Sequence, residues 1–431
     1  MATFPHYPMD FLQVLKCNVK LFADDTSLFT VVEDLNSAAN NMNHDLELIR
    51  QWAHDWKMSF NPDPQKQAVE LILSKKQIEV DHPEIRFNNI PVMRVDDHKH
   101  LGIILDSKLS FSSYIKSAIS KTRKGIGLLR YLSRYLPMHT LNELYKLYVR
   151  PHLDYGDVIY HIPAKVCDFS SNVTLPSLME KLESVQYSAA RAITGTWRGT
   201  SREKLYTELG WESLNCRRWS RRLILFYKIL NNLTPIYMKD PFPPQRQLQY
   251  CLRNQDVIGR IKARTEKFKS GSYPHFLSKW NDLDPEIRLA PSVAVLKKKL
   301  MSIIRPPVRS IFGIHDPKGP SYLTQLRVGL SKLKFHKFKH NFRDTINRMC
   351  PTNDGIEDTE HFLLLCPSFA VPRRYLLAGV FALVRPFGYT NLQNNVLIQI
   401  LLYGDQNLPN ELNKNILLLT LQFIHKSGRF D

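Results

Sequence analysis

The chain has 431 residues, of which 43% are hydrophobic, 23% charged and 11% aromatic. This composition is that of a globular protein and excludes a fibrous repeat or disorder throughout, while the length predicts roughly two to four domains. The six cysteines are too sparse for a disulfide framework, which favours an intracellular protein of the cytoplasm or nucleus. The longest apolar runs fall short of the ~20 residues that a membrane span requires, so we predict no membrane segment.

Charge is distributed unevenly along the chain, whose formal net charge is +19. Residues 1–110 contain 11 Lys and Arg against 16 Asp and Glu, whereas the rest of the chain contains 48 against 24. A strongly basic body indicates a polyanionic partner, because contacts to phosphate depend mainly on Lys and Arg. Nucleic acid is therefore the favoured partner, although many proteins are basic for solubility alone.

The first 110 residues predict an α+β unit. Two apolar runs flank an acidic turn within residues 19–31, which is typical of a β-hairpin. Apolar residues at helical spacing predict an amphipathic helix from Asn36 to Lys57. Four short strand-like runs follow, and Asn88-Asn89 is a plausible tight turn between the middle two. These four runs cover residues 69–73, 85–87, 90–95 and 101–105.

Beyond residue 110 helical periodicity replaces the strand-like pattern, with one helix predicted over residues 217–232. Prolines near Pro241 and at Pro306-Pro307 indicate linkers. These signals divide the chain into four regions. They are residues 1–110, a helical region 111–240, a connecting region 241–330 and a C-terminal domain 331–431.

Asp24 and Asp25 lie side by side at the tip of the predicted hairpin. Adjacent carboxylates repel each other, so a fixed pair needs cations, and Mg²⁺ binds such carboxylates together with substrate phosphates. Two such ions about 4 Å apart would stabilise both oxygens of a phosphoryl displacement. A solvent-exposed acidic turn is the alternative interpretation of the same pair.

Several segments, in order along the chain, resemble the reverse transcriptases of non-LTR, jockey-like retrotransposons. Residues 22–25 (FADD) resemble the metal-binding hairpin of that family. Residues 51–62 (QWAHDWKMSFNP) look like the segment that closes its palm, and residues 100–106 (HLGIILD) resemble its primer-grip strand. Residues 149–156 (VRPHLDYG) and 189–195 (AARAITG) resemble its helical thumb.

The resemblance implies the fold, the cofactor and the partners. We expect a truncated palm, made of a hairpin, a helix and a small antiparallel sheet, followed by a mainly helical thumb and C-terminal region. By this resemblance the chain is an RNA-directed DNA polymerase that binds an RNA template and a DNA primer with Mg²⁺. Asp24 would be the main metal ligand and Asp25 its support, while Gly102 would belong to the strand that guides the primer end.

The chain departs from the family pattern before the hairpin. A third aspartate on an earlier palm strand completes the metal site in that family, and Asp10, the sole acid before Asp24, lies outside an apolar strand. The fingers and this aspartate would precede Met1, so we expect the isolated chain to have little or no polymerase activity. The alternatives are a non-catalytic nucleic-acid-binding remnant and a helical protein-interaction module.

Three clusters of basic and aromatic residues are candidates for nucleic-acid binding, since cations contact phosphates and aromatic rings stack on bases. Helix faces with basic outer residues and aromatic core residues are the alternative. The first cluster is Lys116, Lys121, Arg123, Lys124, Arg130 and Arg134, with Tyr114, Tyr131 and Tyr135. The second is Arg217, Arg218, Arg221 and Arg222 around Trp219, and the third is Lys332, Lys334, Lys337, Lys339, Arg343 and Arg348 with Phe335 and Phe338.

Cys350, His361 and Cys366 resemble a small Cys/His motif near the end of related elements that is often interpreted as a zinc knuckle. A structural zinc site takes four ligands and typically begins Cys-x₂-Cys, but Asn353 stands at the second position here. Asp354 or a water could complete a Zn²⁺ site. Alternatively, the two cysteines and the histidine belong to a hydrophobic core.

A polar set in residues 152–157 could suggest hydrolase chemistry. No serine or cysteine nucleophile accompanies His152, Asp154 and Asp157 within the motif. We therefore predict structural roles for them.

Overall fold

The computed structural model describes residues 14–22, 25–61, 68–74, 81–160, 177–243, 258–259, 261–262, 268, 271–304 and 314–430. The chain divides into two compact units, Met1–Tyr114 and Ile115–Asp431. Each unit is described by itself below.

Short strands and one long helix make up the first unit. The strands pair as β1 with β2, β3 with β6, β4 with β5, and β7 with β8, and only the β3–β6 pair is parallel within the described residues. Their bounds are β1 Asn18–Phe22, β2 Asp25–Phe29, β3 Val69–Glu70, β4 Arg86–Phe87, β5 Ile90–Pro91, β6 Met93–Arg94, β7 Asp97–His100 and β8 Ile103–Asp106.

The predicted hairpin is confirmed by the β1–β2 pair, in which Asn18 lies opposite Phe29 and Phe22 opposite Asp25. Helix α1, Leu35–Asp55, follows and begins at Asp34, whose carboxylate accepts a hydrogen bond from the Ser37 amide at 2.8 Å. This cap satisfies one of the free amides at the helix start. The predicted helix is confirmed to within two residues at each end.

Asp45 anchors the chain before β1 to helix α1. Its buried carboxylate accepts hydrogen bonds from the backbone amides of Lys16, at 3.0 Å, and Cys17, at 2.7 Å. A buried carboxylate needs such donors, because its desolvation is costly without them. The hairpin therefore starts from a fixed point on the helix.

The small sheets agree in part with the sequence prediction. Asn88 and Asn89 have φ values of 54° and 62° and join β4 to β5, which confirms the predicted tight turn. The strand predicted over residues 101–105 begins two residues late, because Leu101 and Gly102 form the turn between β7 and β8. Gly102 has a φ of 84°, a left-handed conformation that favours glycine, so its placement within a strand was wrong.

Helices build the second unit. The longer ones pack against one another around two apolar cores. Their bounds are α2 Ser112–Leu132, α3 Met138–Leu144, α4 Pro151–Asp154, α5 Asp157–Tyr160, α6 Ser177–Thr194, α7 Arg202–Leu209, α8 Leu214–Leu230, α9 Ser272–Asn281, α10 Pro285–Arg288, α11 Val293–Ile304, α12 Gly319–Val328, α13 Lys334–Lys339, α14 Ala370–Val384, α15 Asn394–Tyr403 and α16 Asn410–Ser427. Residues 145–149 and 361–365 form single π-helical turns, and residues 236–238, 367–369 and 385–387 form 3₁₀ turns.

Helix α8 lies in the first of these cores. Phe226 on α8 contacts Trp280 on α9, with ring centroids 5.5 Å apart, and Leu296 and Leu300 on α11 are fully buried in the same cluster. A second core surrounds Phe362, whose ring lies 5.3 Å from Phe423 on α16. The helix predicted over residues 217–232 is therefore confirmed, with its start three residues earlier at Leu214.

A buried ion network joins α8 to the short helices α4 and α5. The Asp154 carboxylate accepts hydrogen bonds from Arg217 at 2.8 Å and from Arg221 at 3.0 Å. Arg221 also donates to Asp157 at 2.8 Å, and Arg217 lies 3.2 Å from the Glu212 carboxylate. The structural roles predicted for Asp154 and Asp157 are confirmed.

Most of the second basic cluster is buried in the same region. Arg217, Arg218 and Arg222 are 5%, 1% and 2% exposed. Arg218 donates to the Leu153 carbonyl at 3.1 Å, and Arg222 donates to the Val158 carbonyl at 3.3 Å. Their charges serve internal contacts, so a structural role, the alternative to nucleic-acid binding, applies to these three arginines.

We predict that Asp154→Asn destabilises the helical unit by about 3–5 kcal/mol, because it leaves the buried guanidinium groups with too little negative charge. Urea denaturation of the wild type and the variant measures this loss. Glu143→Gln is the matched control, since Glu143 pairs with Lys146 at 2.7 Å but is 60% exposed in its side chain. The control should lose less than about 1 kcal/mol, and equal losses would contradict the prediction.

Burial lowers the pKa of His275 to about 3, with further lowering by the nearby charges of Arg222 and Lys279. An unfolded histidine has a pKa of about 6.5, so the unfolded chain binds a proton that the folded chain does not. The neutral His275 ring therefore contributes its full share of the unfolding free energy above pH 6.5, and this contribution is lost as the pH falls below 6.5.

Acidification from pH 7 to pH 5 should therefore remove about 2 kcal/mol of unfolding free energy through His275. His275→Leu should abolish this part of the pH dependence and leave the part that arises from other groups. Denaturation of both proteins at the two pH values measures the difference. If the wild type and the variant lose the same unfolding free energy between pH 7 and pH 5, His275 is not the cause of the loss.

Candidate functional site

Five cations of the first basic cluster lie on the exposed face of helix α2, and Arg134 lies in the turn that follows the helix. Every one of the six cations is exposed, whereas Ile115, Ala118, Ile126 and Leu129 form the buried face of the same helix. This division follows the helical repeat of 3.6 residues, which places the two sets on opposite sides. The six cations are Lys116, Lys121, Arg123, Lys124, Arg130 and Arg134.

No carboxylate neutralises this face from within the helix, because Ser112–Leu132 contains no Asp or Glu. Across the described residues, none of the six cations forms an ion pair or a side-chain hydrogen bond. An array of exposed, unpaired cations has a field that attracts phosphate groups. The distance from Lys116 to Arg130 along the helix is about 21 Å, at a rise of about 1.5 Å per residue.

Apolar and aromatic side chains flank these cations. Tyr131 and Tyr135 are 58% and 62% exposed, with ring centroids 5.7 Å apart, and Leu128 beside them is 58% exposed. Exposed rings next to phosphate contacts offer surfaces on which bases can stack. Tyr114 is only 7% exposed and packs in the core, so it does not provide such a surface.

Arg191 extends the cationic surface and was not predicted from the sequence as a site residue. Burial lowers the pKa of Arg191, Tyr187 raises it, and the positive charges of Arg130 and Arg198 lower it further, so each of these two arginines lies near Arg191. Its Nε is buried and has no hydrogen-bond partner among the described residues, and its guanidinium carbon lies 5.2 Å from the centroid of the Tyr187 ring. The signal was present, because Arg191 lies within the segment 189–195 that resembles the family.

The third basic cluster is divided between internal contacts and solvent. Lys332 donates to the Phe430 carbonyl at 2.7 Å, and Lys337 pairs with Asp344 at 2.8 Å. Lys339, Arg343 and Arg348 remain exposed. Of the three clusters, only the first therefore keeps all of its predicted cations exposed within the described part of the chain.

The hairpin tip offers one described carboxylate. Asp25 begins strand β2 and is exposed, while Asp24 lies outside the described residues. Asp10 lies outside them as well. Gly102 is in a turn between β7 and β8, as described above.

Cys350, His361 and Cys366 form a buried cluster whose sulfur and nitrogen atoms all lie within 4.8 Å of one another. Two local structures assemble it. A turn closed by the Met349–Ile356 bridge holds Cys350, and a π-helical turn brings the Cys366 amide to 2.7 Å from the His361 carbonyl. The Nε2 of His361 is buried and has no hydrogen-bond partner among the described residues.

Hydrogen bonds favour the thiolate at Cys350. Burial would raise the pKa of this thiol, but hydrogen bonds from Thr352, from the backbone amides of residues 354 and 352, and from His361 lower it to about 7. Asp354, one of the fourth ligands considered from the sequence, is not part of the cluster. The structure thus brings together three donor groups of the kind that Zn²⁺ prefers.

Three curated relatives share part of the sequence. The "RNA-directed DNA polymerase from mobile element jockey" of Drosophila melanogaster is 25% identical over 182 residues, 41% of this chain and 18% of that protein. The "Probable RNA-directed DNA polymerase from transposon BS" of the same species is 25% identical over 224 residues, 50% of this chain and 23% of that protein. The corresponding X-element protein is 23% identical over 184 residues, 42% of this chain and 18% of that protein.

The matched part of the chain thus spans about a fifth of the length of these relatives. No protein-family model and no solved structure matches the chain. The similarity confirms the resemblance to the RNA-directed DNA polymerases of non-LTR retrotransposons, and the chain is related to these enzymes. Among the described residues, no helix is both long enough and apolar enough to cross a membrane.

Proposed function

We propose that this chain is a reverse-transcriptase-derived protein that binds an RNA template and a DNA primer through the exposed face of helix α2. One observation carries the proposal, namely that all six cations of the cluster are exposed and unpaired, five of them in a helix without acidic residues and Arg134 in the turn that follows it. The relationship to RNA-directed DNA polymerases supports nucleic acid as the polyanion.

The motif order supports an assignment of regions within this proposal. The hairpin, helix α1 and the small sheets of residues 14–110 correspond to the last part of a palm, and the helices of residues 111–240 correspond to a thumb. The connecting region 241–330 and the C-terminal domain 331–431 follow. The observed hairpin with Asp25 at its tip is consistent with this assignment.

Asp24 and Asp25 are the residues that would hold Mg²⁺ in this proposal. Mg²⁺ is bound through one or two carboxylates together with substrate phosphates, so the exposure of Asp25 at a strand end suits the role. When bound, the ion would neutralise phosphate charge near the hairpin tip. Asp45, through its bonds to Lys16 and Cys17, would position the strand that precedes the tip.

The salt dependence of binding tests the α2 surface. For a single strand, log K falls with log salt by about 0.7 for each phosphate that a protein neutralises. The combined variant Lys116→Gln, Arg123→Gln and Arg130→Gln should therefore reduce the slope by about 2 and weaken binding. Fluorescence anisotropy with a labelled single-stranded RNA and with a template–primer duplex, in rising salt, measures both quantities.

The chain offers a matched control with the same change of charge. Lys339, Arg343 and Arg348 are also exposed, and their combined replacement by Gln should change the slope much less. Equal effects of the two triple variants would indicate a general effect of net charge and contradict the α2 interface. Failure of the wild type to bind RNA even at low salt would favour the helical protein-interaction module.

A second function is favoured by the buried Cys/His cluster, and we propose that it binds Zn²⁺. The donor set of two sulfurs and one imidazole suits this ion, and the three donor atoms are buried within 4.8 Å of one another. Zn–S bonds of about 2.3 Å require ligand atoms roughly 3.7 Å apart, which a small contraction of the cluster provides. The ion would link the turn at Cys350 to the helical turn at His361.

Elemental analysis of the purified chain should show about one zinc per molecule, because the three donor atoms lie within 4.8 Å of one another and form one site. Cys366→Ala should lose the metal and lower the melting temperature, while Cys216→Ala, which removes another buried cysteine, should retain it. Two results together would contradict zinc binding: purified protein that contains no zinc, and a melting temperature that a chelator does not change. The three residues would then only form part of a hydrophobic core.

A further inference from the structure

Helix α2 contains two glycines, Gly125 and Gly127, that lie on different sides of the helix. A Cβ at Gly125 would lie only 2.8 Å from the Cγ2 of Val149, in the π-helical turn that packs against α2. Close packing therefore explains the glycine at position 125, since any larger residue would force the two segments apart.

No such reason applies to Gly127. It is exposed, a Cβ there would meet nothing within 4 Å, and its φ is not positive. A glycine in the interior of a helix is destabilising relative to alanine, because it loses more conformational freedom on folding. Neither packing nor backbone conformation requires glycine at this position.

The surroundings of Gly127 point to a ligand instead. Arg123 lies four residues before it and Arg130 three residues after it, so both guanidinium groups are its neighbours on the helix surface. Both arginines are exposed and unpaired within the described structure. The missing side chain leaves a notch between two cations where the helix backbone itself is accessible.

We propose that Gly127 is the point of closest approach between helix α2 and the sugar–phosphate backbone of a bound nucleic acid, with Arg123 and Arg130 on either side contacting successive phosphates. Glycine is the residue that allows a backbone to approach a ligand closely. This inference rests on the proposed function of α2 and adds a residue that determines how closely the strand can lie against it.

Stability and affinity should change in opposite directions when Gly127 is replaced. Gly127→Ala should raise the melting temperature by about 1–3 °C, because alanine is the better helix former. It should nevertheless weaken binding of single-stranded RNA several-fold, and Gly127→Leu should weaken it by about tenfold or more, because the side chain fills the notch. A purely structural role for the residue would not produce these opposite signs.

Asn415→Ala is the matched control. Asn415 is exposed in the interior of helix α16, outside the proposed binding face, and its replacement also introduces alanine. This variant should keep wild-type affinity and match or exceed wild-type stability. Thermal denaturation and fluorescence anisotropy of the full chain, with a labelled single-stranded RNA of about twelve nucleotides, measure both properties.

The outcomes separate this inference from the proposed function. If the α2 triple charge variant loses affinity but Gly127→Ala and Gly127→Leu bind as tightly as Asn415→Ala, the inference about Gly127 is contradicted and the α2 interface stands. If the wild type does not bind RNA, both are overturned. Weaker binding by both Gly127 variants, together with a melting temperature of Gly127→Ala at or above that of the wild type, supports the notch.

Discussion

The helical unit depends on the carboxylate of Asp154, which lies between two arginines of helix α8. Its bonds to Arg217 and Arg221 join the segment around residues 150–157 to a helix more than sixty residues later in the sequence. In a low-dielectric interior these charges are stable only together, because each alone would carry its full desolvation cost. The arginines of α8 are therefore part of the scaffold.

This constraint also determines where the α2 face lies. The π-helical turn Tyr145–Val149 directly precedes the segment that contains Asp154, and Val149 packs against Gly125 of helix α2. Tyr145 is stacked on Trp211 at 4.0 Å, which fixes the other end of the same turn. Helix α2 thus packs on a segment held by ion pairs and ring stacking, and its opposite face is left to solvent with its cations unpaired.

Local features could be predicted from the sequence, and features that depend on distant partners could not. The β1–β2 hairpin, helix α1 and the Asn88-Asn89 turn follow from alternation, helical periodicity and turn residues, all within a few residues. The α2 surface was also predictable, since a face without acids needs no distant information. By contrast, the burial of Arg217 depends on Asp154, which is 63 residues away in the sequence. The series of arginines around Trp219 does not by itself indicate that an acidic partner lies so far away.

The two candidate sites offer different kinds of polar group to a ligand. The cations of the first basic cluster are exposed and unpaired among the described residues, whereas Cys350, His361 and Cys366 are buried together. Exposed cations are hydrated and attract anions through their field, whereas a buried polar group is costly unless a partner or a ligand satisfies it. The two proposed ligands follow from this difference. Phosphates are proposed at α2 because cations bind anionic oxygen, and Zn²⁺ is proposed at Cys350, His361 and Cys366 because it would complete a sulfur–nitrogen set.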